Sequence, residues 1–233
     1  MSLKNTLPVV APAARSFLFV AVGLIFAYAS GLTLEQGAAY WPVLCILVNL
    51  VTIAGLFAIS AGERKPFRAL IVPEARKWKA TEILLICFLM ILVGMGGMLA
   101  CSFALYGGLP EFLAQPLPLP WALASLVLLP ITIVFSELPL YYGYAYSRLT
   151  GIAQRPWLAS AYVIFWYALQ HSFFPLLLDG RYMLFRFVSF LPLMILILIL
   201  YRRTKNLVPL MVGHGIMDLG TGIQILIVSV NAL

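Results

Sequence analysis

The sequence predicts an all-α fold, a polytopic transmembrane helix bundle of about seven spans, and three observations lead there. Of 233 residues, 63% are apolar and only 10% charged, with a mean hydropathy of +1.02, whereas soluble domains carry about a quarter charged residues. The apolar residues gather in runs of about twenty, the length that crosses roughly 30 Å of hydrocarbon. No polar block between these runs is long enough to fold by itself. The chain therefore reads as one membrane domain over 1–233, with N-terminal spans in 1–120 and a core in 121–231.

In lipid a helix satisfies its own backbone groups, so each run is read as a helix. The first, 16–34, follows Lys4 and Arg15 in the manner of a signal peptide, but it is too long for one and the next run begins at once, so it reads as a first transmembrane helix. The others are 41–60, 81–105, 121–147, 157–178, 182–201 and 207–231. Trp41, Trp121 and Trp157 stand near span starts, where interfacial anchors belong. The proline-rich stretch GLPEFLAQPLPLP ahead of the fourth run reads as a loop along the surface. Cys45, Cys87 and Cys101 lie inside apolar runs, are odd in number and lack metal-ligand spacing, which makes them small core residues rather than a disulfide framework.

Orientation follows from the basic residues. The longest connection, Ala61 to Ala80, carries Arg64, Lys65, Arg68, Arg76, Lys77 and Lys79, which places it in the cytoplasm. With an inside N-terminus, Lys4, Arg15, Arg148, Arg155, Arg202, Arg203 and Lys205 join that side. Thirteen of fifteen basic residues are then cytoplasmic, and Arg181 and Arg186 are outside. The formal net charge of +7 is thus a topology signal and a contact for lipid headgroups, and a nucleic-acid partner is not expected. The expected location is a bacterial inner (plasma) membrane, as a multi-pass protein with a cytoplasmic N-terminus.

Ionisable side chains within a span cost several kcal/mol and normally face a partner or a polar cavity. Away from the span ends, where charges belong to the interface, there are four: Glu137, His171, His214 and Asp218. A single such Glu reads equally well as a protonated packing residue, and a single His as an interhelical hydrogen bond. Four in three helices argue for one shared site. Counting about 1.5 Å per residue from the cytoplasmic ends puts Glu137 and His214 at about 10–15 Å depth and His171 at about 20 Å, close enough for one water-accessible cavity nearer that face. His214 and Asp218, four apart, share a helix face, where the carboxylate orients or charges the imidazole. Gly213 and Gly215 flank that histidine and allow close approach of a neighbouring helix or a substrate backbone. Pro139, two residues after Glu137, removes a backbone donor and is expected to kink the fourth span.

Three segments, ELPLYYG (Glu137 to Gly143), YALQH (Tyr167 to His171) and HGIMD (His214 to Asp218), follow one another on successive core helices. In order and type they resemble the motifs of the CPBP family of CAAX proteases and bacteriocin-processing intramembrane proteases: Glu-Glu-x-x-x-Arg, an aromatic residue three before a His, and His-x-x-x-Asn or Asp. The resemblance covers roughly 121–231 and implies a glutamate-type intramembrane endopeptidase without a cofactor. By position it makes Glu137 and His171 the water-activating pair and gives His214 and Asp218 the oxyanion, with Tyr141, Tyr142 and Tyr167 as supporting or substrate-binding residues. The implied substrate is a membrane-associated peptide or lipidated protein, prenylated at a CAAX-type terminus or handled in peptide maturation and bacteriocin immunity. The chemistry suits the residues: a carboxylate in a low-dielectric site is a stronger base, and donors aimed at the tetrahedral oxygen supply electrostatic stabilisation.

The chain departs from the family pattern at three positions. Leu138 stands where the motif has its second Glu and Tyr142 where it has Arg; these are four apart, so their joint replacement removes a helical ion pair and leaves no charge unpaired. Leu138 is then expected to pack against a neighbouring helix and the Tyr142 hydroxyl to be hydrogen-bonded. Asp218, beside an oxyanion, has to be protonated, be neutralised by His214, or serve another role. Two further readings stand beside proteolysis. One is a metal-dependent membrane hydrolase with Glu137, His171, His214 and Asp218 as zinc-type ligands; the other is a non-catalytic scaffold or immunity protein that keeps the fold without the chemistry.

Overall fold

The computed structural model describes residues 3–72, 78–109, 115–153 and 155–233. Among them there is no strand, and the helices run α1 (Leu3–Ser30), α2 (Leu34–Ala38), α3 (Trp41–Gly62), α4 (Ala80–Tyr106), α5 (Leu119–Leu138), α6 (Ser147–Ile152), α7 (Pro156–Gln170), α8 (Gly180–Thr204) and α9 (Val208–Asn231). Prolines in the first turns of α3, α5, α7 and α9 start these helices where a missing N–H is harmless. Gly107 and Lys205, both left-handed, end α4 and α8.

Six of these elements, with α5 and α6 counted as one continuous helix over Leu119–Ile152, are long and apolar enough to cross a membrane. The seventh expected span, 157–178, takes a different form. α7 has 15 residues, about 22 Å at 1.5 Å each, and falls short of the hydrocarbon thickness. A 3-10 turn, His171–Phe173, and an extended stretch with a cis Phe174–Pro175 bond carry the chain on to α8. Pro175 disfavours helical backbone at Phe174. The broken helix leaves carbonyls that lipid cannot satisfy, and Arg186 of α8 satisfies two of them, donating from Nε to His171 O (3.2 Å) and from Nη2 to Phe174 O (3.1 Å).

Helix α5 lies at the centre, packed on α3 and α9; α4 packs on α8 and α9, and α1 on α3 and α7. Between α5 and α6 the chain is π-helical over Pro139–Tyr146, and all eight residues are buried. The wider turn is how the helix absorbs Pro139, whose ring would crowd the preceding turn in α-helical register. Gly143 faces the carbonyl oxygen of Leu70, which occupies the space a Cβ would need. Leu70 belongs to the 3-10 turn Phe67–Leu70, whose neighbour Ile71 accepts from Leu207 N at 2.9 Å. Arg148 pins the start of the same loop, pairing with both oxygens of Glu63 and lying over the Tyr144 ring.

Three residues read as surface features sit elsewhere. α1 begins earlier than expected, so Arg15 falls well inside the first span and is only 3% exposed. Arg186 is likewise buried in α8 rather than outside the membrane. Setting aside these two, one from each side, leaves the basic residues twelve to one in favour of the same orientation. Trp41 is buried against Phe174, while Trp121 and Trp157 are exposed, as anchors are. Arg64, Lys65, Arg68 and Lys79 are exposed, and Arg76 and Lys77 lie outside the described residues. Cys45, Cys87 and Cys101 are free thiols, the first two buried.

Candidate active site

The bundle brings Glu137, His214 and Asp218 into direct contact. Glu137 Oε2 lies 3.7 Å from His214 Nε2, and Asp218 Oδ2 lies 3.2 Å from the same nitrogen. Neither oxygen reaches hydrogen-bond geometry with it, and both are buried without another hydrogen-bond partner. A nitrogen facing two carboxylate oxygens holds a proton; the Tyr167 hydroxyl stands 3.4 Å from the other ring nitrogen, Nδ1, which accepts from it in the neutral ring and donates to it in the charged one. Gly213, one residue before His214, lets α4 close on this segment, since a Cβ there would press on Met90 Sδ and Cys87 Cα.

His171 joins the cluster at one remove. Its Nδ1 donates to the carbonyl of Tyr167 at 2.8 Å, which leaves Nε2 as the basic nitrogen of the neutral ring. The ring is stacked on Phe190 with centroids 3.7 Å apart and also meets Phe174.

The other oxygen of Glu137 is held by residues that the sequence did not single out. Oε1 accepts from Arg15 Nη2 at 3.1 Å and from Gln170 Nε2 at 2.8 Å. A guanidinium only donates, and Arg15 Nε points at Gln170 Oε1 (2.8 Å), so the Gln170 amide must turn its nitrogen to Glu137. Arg15 also donates from Nη1 to Thr52 Oγ1 and from Nη2 to Asn49 Oδ1, each at 2.6 Å. Asn49 in turn accepts from Ser136 and donates to Thr132. The network links α1, α3, α5 and α7 through one guanidinium. Two signals pointed to it: Leu7–Ala14 ahead of Arg15 is uncharged, which extends the first span past it, and Gln170 lies within YALQH.

The cluster is closed rather than an open cavity. Glu137 is fully enclosed, and His171 and His214 are 4% and 6% exposed; Asp218, with 16% of its side chain exposed, is the edge that reaches the surroundings. Tyr141 stacks face to face on Tyr167, with centroids 4.3 Å apart, and donates to Gln170 Oε1 at 2.9 Å. Tyr142 turns away from the carboxylate and donates to the carbonyl of Met194 at 2.9 Å. Leu138 is fully buried in the core. For a metal the geometry is poor: among the described residues no group of three or more His, Cys, Asp or Glu side chains is placed to hold one. The positive charge beside Glu137 comes from Arg15 instead.

A family model described as type II CAAX prenyl endopeptidase, Rce1-like, matches residues 118–220, somewhat less than half of the chain. The match spans α5, the π segment, α7 and α8 and reaches into α9 past Asp218, so it contains all four ionisable residues of the site. It leaves out α1 and Arg15. No curated protein and no solved structure matches the chain.

Proposed function

We propose that the chain is an intramembrane endopeptidase that uses a glutamate-activated water on a membrane-associated peptide, with a CAAX-type prenylated terminus as the leading substrate class. The observation that carries this reading is the division of labour on one carboxylate. Oε1 of Glu137 is taken by two donors while Oε2 is unpartnered and faces His214 Nε2. Oε2 takes a proton from water as the oxygen attacks the scissile carbonyl, and the same proton passes to the leaving amide nitrogen as the C–N bond breaks. The N–H of His214 stabilises the oxyanion. Asp218, against that imidazole, orients it and is neutralised by it, which answers the repulsion an isolated carboxylate would exert. His171, with a basic Nε2 near Glu137, shares the proton between the two half-steps. The protein sits in the membrane with its N-terminus in the cytoplasm.

The test uses the full-length protein in detergent and a farnesylated CAAX-type peptide with a fluorophore and quencher on either side of the scissile bond. Glu137→Gln should abolish cleavage at unchanged membrane level, while a chelator should leave it intact. A second reading, a non-catalytic scaffold or immunity protein on the same fold, draws support from the complete enclosure of Glu137. It would be favoured if Glu137→Gln left the cellular phenotype of the intact protein unaltered.

A further inference from the structure

We infer that Arg15, on the first helix and outside the matched segment, is the positioning residue of the site: it fixes Glu137 as a carboxylate with Oε2 turned to His214. The inference rests on the proteolytic reading for its catalytic consequence but on geometry alone for its physical one.

A lone arginine in an apolar helix, 3% exposed, is too costly to be accidental. Four of its N–H groups are used, and each goes to a different side chain: Gln170, Thr52, Asn49 and Glu137. Asn49 and Thr52 are themselves fixed by Thr132 and by the carbonyl of Val48. The guanidinium is therefore oriented before it meets the carboxylate. Through Gln170 it acts on Oε1 a second time, because it dictates which face of that amide the carboxylate sees. Both contacts fall on the same oxygen, and the other is left for chemistry. The ionisable groups around Glu137 besides Arg15 include His214, His171, Asp218, Tyr167, Tyr141, Tyr142 and Cys45; none is a permanent cation and Asp218 adds a second carboxyl, so the standing positive charge beside Glu137 is that of Arg15. On its own helix the corresponding motif position is Tyr142, whose hydroxyl is engaged at Met194. The site is therefore not self-contained in the C-terminal core; the N-terminal helix completes it.

The experiment compares the full-length wild type with Arg15→Lys, Arg15→Gln and the double variant Arg15→Gln/Glu137→Gln in detergent. A hydrophobic carbodiimide, which adds to protonated buried carboxyl groups, is applied at neutral pH and adducts on Glu137 are counted by mass spectrometry. Glu137 should resist labelling in wild type and Arg15→Lys and become several-fold more reactive in Arg15→Gln. On the farnesylated peptide, kcat should fall about 100-fold in Arg15→Gln, as for a misplaced catalytic group, with KM little changed, and Arg15→Lys should recover most of the loss. Equal labelling of wild type and Arg15→Gln overturns the inference, as does an unchanged kcat. If the wild type cleaves nothing, the proteolytic reading fails and labelling alone decides the positioning role. If Arg15→Gln does not accumulate, recovery of the double variant supports pairing with Glu137, and its equal failure overturns it.

Discussion

Arg186 Nε donates to the backbone carbonyl of His171 across 3.2 Å, tying α8 to the point where α7 stops being a helix. The same guanidinium serves Phe174 O and lies over the Phe190 ring, on which the His171 imidazole is stacked. Arg186→Leu removes the donors to both buried carbonyls, each worth about 1–3 kcal/mol when left unsatisfied. The melting temperature of the purified protein should drop, and His171 should lose its fixed ring position. A melting curve that superimposes on the wild type would remove this support from α7.

Glu137→Gln and Tyr142→Phe should differ widely in effect. The first removes the proposed base, worth about 10²–10⁴-fold. The second removes one hydrogen bond, to Met194 O, of net worth about 1 kcal/mol. Cleavage of the farnesylated peptide should therefore survive Tyr142→Phe at a modestly reduced rate. The opposite ranking would falsify the assignment of Glu137 as the base.

At Gly143 a methyl group has nowhere to go, because the Leu70 carbonyl already fills the space. Gly143→Ala should destabilise by about 1–3 kcal/mol, the usual cost of overpacking, by pushing the 3-10 turn Phe67–Leu70 off the π segment. Faster proteolysis in the loop, read alongside the melting temperature, would report the displacement. An alanine variant as protease-resistant and as stable as wild type would show that this contact is dispensable.

Reporter fusions after Gly180 and after Lys205 should give opposite sides of the membrane, with the cytoplasmic signal expected from Lys205. α8 lies between the two positions and is long enough to cross. Two cytoplasmic signals would mean that the short helix α7 and its extended continuation turn back instead of completing a crossing.

Glu137, His171, His214 and Asp218 were legible in the sequence because charge inside an apolar run has few uses, and the ordered segments around them narrowed those uses further. Arg15 and Arg186 were misread for one reason: each lies near an end of its apolar run, where a basic residue ordinarily marks the membrane surface. An arginine at the edge of an apolar run does not by itself reveal whether it flanks the membrane or is drawn inward by partners 34, 122 and 155 residues away, and for Arg15 the uncharged Leu7–Ala14 ahead of it was the signal passed over. Asn49 and Gln170 escaped notice because uncharged amides are common in spans. The π segment was half visible: Pro139 announced a disturbance, but the form it takes depends on what packs around it, and here all eight residues are enclosed. The shortness of α7 was hidden because the residues after it are as apolar as those within it.

The pairing of Arg15 with Glu137 also sets a problem in biogenesis. The two residues are 122 positions apart, so at about 5–20 residues per second a ribosome makes the arginine roughly 6–25 s before its counter-ion exists. During that interval the first helix carries an uncompensated cation, and its cheapest position is shallow, with the side chain reaching for the headgroups. It should settle to full depth once α5 has been delivered. The N-terminal helix, first to be made, should then be among the last to be seated. Nascent chains arrested near residue 110 and carrying Arg15→Lys should expose the amine to a membrane-impermeant acylating reagent, and chains arrested after residue 180 should hide it; equal reactivity at both lengths would mean that α1 reaches its depth without waiting for Glu137.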